Sequence, residues 1–149
     1  INPHALALEE SMGFDYASDT RGRSAFYPVL QGVRSRCPQI PTTLPTLDEL
    51  IGREGITEHN VHETVFAESH YVLPQGHVYT LHAELEGMGL LPVMERLLVM
   101  WRGSQARIHP LREVYETLDL GALPSHLVGW GEVPGRSGYL AMQGTPAPA

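Results

Sequence analysis

Residues 76 to 103 place the clearest strand of the chain directly before its clearest helix. "GHVYTLHAEL" (76 to 85) is rich in residues that favour a pleated, half-buried surface. In "LPVMERLLVMWRG", Pro92 opens a helix and Gly103 closes it. Met94, Leu97, Leu98 and Trp101 form its i, i+3, i+4, i+7 stripe. A strand running straight into an amphipathic helix is the unit of a parallel α/β sheet.

The same alternation extends along the chain. "NPHALALEESMGF" reads as a helix capped by Asn2 and ended by Gly13, and "FDYASD" (14 to 19) as a strand. "QIPTTLPT" (39 to 46) is extended, because its prolines forbid helix. "TLDELIGRE" begins a short helix at Thr46, with Asp48 and Glu49 in its first turn. A longer helix is expected from Thr57 to about Leu73, a short strand at "ARIHPL" and a helix over 110 to 118. The Gly-rich remainder reads as irregular, and the tail "GTPAPA" (144 to 149) as disordered. The order α, β, β, α, β, α, β, α implies a mostly parallel sheet, with its site at the carboxyl ends of the strands. Those ends are "SDTRG", "TLPT", "HAELEG" and "HPL".

Charge and composition narrow the functions. The chain has 149 residues and a formal charge of −7, from 10 basic and 17 acidic residues. That balance argues against a nucleic-acid partner. The basic residues are scattered, so no polybasic membrane anchor is present. No apolar run approaches the roughly 20 residues of a membrane span. Cys37 is the one cysteine, which fits a reducing, cytoplasmic compartment. The chain begins with Ile1, which reads as processing or as a piece of something longer.

On the expected strand, Val78, Thr80, His82 and Glu84 share one face, and Tyr79, Leu81, Ala83 and Leu85 the other. The first face turns polar towards its carboxyl end, as the mouth of a barrel does. His82 is therefore either catalytic or a polar strand-end residue. Glu84 shares its face, whereas Glu86 falls in the turn before Gly87. Other features read more simply. His59 and His62, one helical turn apart, and His70 lack a third ligand at a recognisable spacing. Ser18 and Ser24 have no nucleophile elbow around them. His109 reads as a loop or core histidine and Trp101 as core. Cys37, between Arg36 and Pro38, is a candidate for a depressed pKa.

Four segments together resemble the polysaccharide deacetylase (NodB-homology) superfamily. The likeness is to its formamido-arabinose-phosphoundecaprenol deformylase branch, which acts in lipid A modification. They are "YASDTRG" (16 to 22), "PQIPTTLPTLDELIGRE" (38 to 54), "VYTLHAELEG" (78 to 87) and "GRSGYLAMQ" (135 to 143). The likeness runs from about Phe14 to Gln143, with the helix over 57 to 73 divergent. It implies a distorted (β/α) barrel and metal-dependent hydrolysis of a formyl or acetyl group on an amino sugar. In the family a divalent metal, zinc or similar, is held by one Asp and two His, a second Asp is the general base, and a late-strand His is the general acid. That histidine matches His82. The wider family has Leu two positions earlier, where this chain has Thr80, as the deformylase branch does.

Nothing before "YASDTRG" matches the family's base or metal ligands. The chain therefore resembles the C-terminal half of such a barrel, over residues 1 to 143, and the missing N-terminal half is an expected partner. Asp19 and Arg21 then read as substrate contacts or as residues orienting acid and base, against the simpler reading of an internal ion pair. Arg21 is also a candidate for the phosphate of a lipid-linked substrate. Glu84 reads as a neighbour of the acid or as a salt bridge at the barrel mouth. The implied location is cytoplasmic, peripheral at the inner membrane. The competing expectation is an inactive fragment that binds or completes a barrel.

Overall fold

The computed structural model describes residues 2–148. It is a mixed α/β structure with a four-stranded sheet in the order β2-β1-β3-β4. The elements are α1 (Pro3–Ser11), β1 (Tyr27–Leu30), β2 (Val33–Arg34), α2 (Leu47–Leu50), α3 (Val61–Glu68), α4 (Leu91–Gly103), α5 (Leu111–Glu116), β3 (Ser125–Glu132) and β4 (Tyr139–Pro146).

The helices follow their end signals. The Asn2 side chain accepts hydrogen bonds from the backbone N–H groups of His4 (3.0 Å) and Ala5 (3.1 Å), and Pro3 takes the first turn of α1. Helix α4 spans the expected 91–103. Its Val93 and Leu97 pack with Leu44, Leu47, Leu50, Val61, Val65 and Leu90 into one buried cluster. Trp101 and Tyr79 pack against that cluster, with their rings edge to face at 5.7 Å. The core thus joins α2, α3 and α4. Helices α2 and α3 are shorter than expected.

The strands differ more from expectation. The sheet is not mostly parallel: β1 pairs parallel with β3, while β1–β2 and β3–β4 are antiparallel. The Gly-rich end, expected to be irregular, forms the two longest strands. Strand β4 runs through Pro146, so residues 144–146 are ordered sheet rather than a disordered tail; Ala149 lies outside the described residues. Residues 76–85 and 106–111 form no strand. The first is extended beside residues 42–44: the Thr43 and Leu44 N–H groups donate to the Val78 carbonyl at 3.1 and 3.2 Å. Residues 14–19 carry a single bridge, Ala17 to Gln39. Arg21 has parallel bridges to both Thr42 and Met142, which brings three of the four segments of the resemblance side by side. No helix of the described residues is long and apolar enough to cross a membrane.

Candidate functional site

The site is built around α2. Thr46 precedes this helix, and its N–H donates to Glu49 Oε2 at 3.1 Å, a capping interaction that turns the Glu49 side chain back over the first turn. Glu49 is fully buried. Its other oxygen receives the Arg21 guanidinium, which also donates to the Leu44 carbonyl at 2.8 Å. Burial lowers the pKa of Arg21, and the Glu49 carboxylate opposes that shift.

Arg136 enters from the β3–β4 connection. Its Nη1 lies 3.4 Å from Glu49 Oε1 and 3.8 Å from Asp48 Oδ2. Gly135 makes this approach possible. At φ +85°, a Cβ there would fall 2.0 Å from the Glu49 carbonyl oxygen. The second Asp48 oxygen, Oδ1, lies 3.9 Å from His82 Nδ1. Arg21, Glu49, Arg136 and Asp48 thus form one chain of alternating charge, and its last carboxylate faces the His82 ring.

His82 is held from its backbone. Its N–H donates to Glu86 Oε2 at 2.7 Å, and the Tyr79 hydroxyl donates to Glu86 Oε1 at 2.9 Å. Glu86 is buried at the start of a π-helical turn, Leu85–Gly89. Burial, and then Glu86, raise the pKa of the Tyr79 phenol, so it stays a donor. His82 Nδ1 is buried and has no hydrogen-bond partner among the described residues, while the side chain as a whole is 24 % exposed.

The other expected site residues are distributed differently. Asp19 is exposed, and its carboxylate faces Glu9 rather than Arg21. Glu9 is buried and accepts from Gln39 Nε2 at 2.9 Å. Its own burial, reinforced by Asp19, pushes its pKa up to about 8. Glu84 is exposed and lines a shallow cleft with Asp48, Ile51, Glu58 and Leu85. Without a strand at 76–85, the shared face of Glu84 and His82 does not form. Cys37 is buried and its thiol is pushed up to about 11 by that burial, not depressed. Arg36, expected to lower it, pairs with Glu10 at 2.8 Å. The Ser18 hydroxyl donates to the Ile40 carbonyl at 2.7 Å. Among the described residues, no three His, Cys, Asp or Glu side chains come together as a metal site.

Asp48, Glu49 and Arg136 are the members that pattern reading missed as site residues. Thr46-x-x-Glu49 is a capping box and was the one available signal for Glu49. Nothing local marks Asp48 or Arg136.

A mixed α/β domain that sets a histidine at the end of a carboxylate–arginine chain is the class of protein defined here. No family model matches the chain. It is 34% identical over 139 residues to the probable 4-deoxy-4-formamido-L-arabinose-phosphoundecaprenol deformylase ArnD of Shewanella sediminis (strain HAW-EB3). It is 29% identical over 142 residues to the protein of the same name from Wigglesworthia glossinidia brevipalpis. These matches cover 93% and 91% of this chain but 43% and 46% of the relatives, so the chain spans a little under half their length. The resemblance to the C-terminal half of this deformylase branch, drawn from the four segments, is thereby borne out.

Proposed function

We propose that this chain is part of a deformylase-type hydrolase that removes an N-formyl or N-acetyl group from a lipid-linked aminoarabinose precursor, with His82 as its general acid. The observation that carries this reading is the match to the deformylases over nine-tenths of the chain. The whole enzyme is then a distorted (β/α) barrel that this chain completes from its C-terminal side. It meets its lipid-linked substrate peripherally, at the cytoplasmic face of the inner membrane.

The chemistry needs an acid. An amide nitrogen leaves poorly as an anion, so it must gain a proton as the C–N bond breaks. His82 Nε2–H gives that proton, and the C–N electron pair stays on the departing amine. The ring is partly exposed and its backbone is fixed by Glu86, which suits a donor at the rim of a cleft. Glu84 and Asp48 line the neighbouring cleft, where polar sugar groups would lie. Arg21 is committed to Glu49, so in this reading it holds α2 in place; Asp19 is exposed and is left for substrate contact. The divalent metal implied by the resemblance finds no ligand set among the described residues. In this reading, this chain's part is proton donation and substrate contact.

The test is formate release by the complete protein from its formamido-sugar lipid. His82→Ala is expected to lower turnover by about 10²–10⁴-fold. Wild-type turnover in that variant removes His82 from the mechanism. The second reading is a non-catalytic module that completes another polypeptide's barrel. Deformylation by a protein containing this chain, abolished by His82→Ala, excludes it.

A further inference from the structure

We propose that α1 is a proton-operated latch: it stays seated on residues 35–39 while Glu10 is ionised and Glu9 is neutral, and it lifts away when Glu9 ionises. Leu6 and Glu9 are the buried residues of this nine-residue helix. An open groove of about 710 Å³, lined by Leu6, Ala7, Pro28, Leu30 and Val33 among others, lies between α1 and β1–β2. Apolar packing therefore attaches α1 at little more than one point, and two adjacent glutamates supply the grip. Glu10 accepts from the Arg36 backbone N–H at 2.9 Å and from Arg36 Nε at 2.8 Å. Glu9 accepts from Gln39 Nε2 at 2.9 Å. Gln39 is fully buried, and its Oε1 receives the Asp19 N–H at 2.9 Å.

The two contacts ask for opposite charge states. Arg36 keeps Glu10 ionised and lowers its pKa to about 2. Glu9 faces a neutral amide and the Asp19 carboxylate instead. A buried carboxyl group beside a second carboxylate keeps its proton. Burial, and then Asp19, push Glu9 up to about 8, while Gln39 and, least of all, the chain's amino terminus oppose the rise. The other charges nearby are committed: Arg36 is taken by Glu10, and Asp15 faces Arg112 at 4.0 Å. Cys37 is buried in the same segment, and burial with the field of Glu9, Asp19, Glu10 and Asp15 keeps it a neutral thiol. In the lifted state both glutamates titrate near the ordinary 4.5. The contribution of Glu10 to seating is present above 4.5 and is lost as pH falls through about 2. That of Glu9 is full below 4.5 and is lost as pH rises through about 8. Seating is thus tightest near pH 4.5 and loosens across the neutral range. Asp19 lies two residues before Arg21, so the latch closes on the segment that carries the arginine of the candidate site.

Cys37, the one cysteine of the chain, reports the latch, because α1 grips the residue before it. The experiment follows alkylation of Cys37 by iodoacetamide in the complete protein, read by mass spectrometry of its peptide. Rates are scaled to those of glutathione at the same pH, which removes the thiolate fraction. From pH 5.5 to 8.5 the scaled wild-type rate should rise about a hundredfold. It should stay level in Glu9→Gln, which keeps the amide contacts without a titrating proton. Glu10→Gln should label faster than the wild type at pH 5.5 and keep the rise. Low urea should leave all these rates unchanged, because lifting one short helix exposes little surface. A level wild-type rate from pH 5.5 to 8.5 overturns the inference, and so does an equal rise in Glu9→Gln. Labelling that climbs with urea as steeply as global unfolding also overturns it, since the whole fold and not α1 would then be opening. The wild-type profile decides the matter even where Glu9→Gln fails to fold.

Discussion

Arg21 and Glu49, 28 residues apart in the chain, share a buried ion pair whose acidic member has no solvent exposure. The Arg21 side chain is 15 % exposed. Removing one partner of such a pair strands the other without water. Glu49→Gln should therefore cost about 3–5 kcal/mol in urea unfolding. Replacing both residues with apolar ones, Arg21→Met with Glu49→Leu, should recover most of that loss. A Glu49→Gln protein as stable as the wild type would show that the pair contributes nothing.

Gly135 is a steric requirement of the same site. Its φ of +85° strains any L side chain, and its added Cβ would lie 2.0 Å from the Glu49 carbonyl oxygen. Gly138 has a similar φ, +80°, but open space around it. Gly138→Ala should cost about 1–2 kcal/mol from backbone strain alone. Gly135→Ala should cost clearly more, because the backbone of α2 has to move. Equal unfolding midpoints for the two variants count against the close approach of Arg136's loop to α2.

Glu9 makes stability depend on pH with a defined sign. Its pKa is raised by burial and by Asp19, from an ordinary 4.5 to about 8. Below pH 4.5 the proton is bound in both folded and unfolded chains, and the group's contribution is fully present. Between 4.5 and about 8 the unfolded chain loses the proton while the folded one keeps it, so stability falls as pH rises. Glu9→Gln should flatten that decline, and its advantage over the wild type should be larger at pH 8.5 than at pH 5. Parallel stability curves for the two proteins rule out a protonated native Glu9.

The helices were legible because their signals are local. Asn2 and Pro3 mark the start of α1, and the stripe from Met94 to Trp101 marks α4. The strands were not, because a strand is defined by its partner. "HVYTLHAEL" has the residues of a strand, yet beyond the Val78 carbonyl it is anchored by side chains instead of a ladder. Thr80 Oγ1 lies 2.9 Å from Thr42 Oγ1, and His77 Nδ1 3.1 Å from Thr43 Oγ1. Conversely, the glycines of "GWGEVPGRSGYLAMQG" disfavour strand locally but serve it in the fold. A Cβ on Gly144 would come within 2.7 Å of the Leu127 carbonyl on β3.

The site shows the same division. Family likeness points to His82, whereas its backbone anchor Glu86 reads only as a turn residue before Gly87. Asp48 and Arg136 meet only because α2 and the β3–β4 connection converge. No spacing in the chain records that meeting.

The parallel pairing of β1 with β3, Tyr27 against Ser125 and Val29 against Leu127, has a consequence for biosynthesis. Roughly a hundred residues separate the partners, so the central seam of the sheet closes late and against a large loop entropy. While the ribosome is still making residues before 125, β1 has only the two-residue β2 beside it. Its other edge stays open, and Arg136 has not arrived to face Asp48. The nascent chain thus passes through a stage with a sticky strand and an unfinished candidate site, when a chaperone would have most to shield.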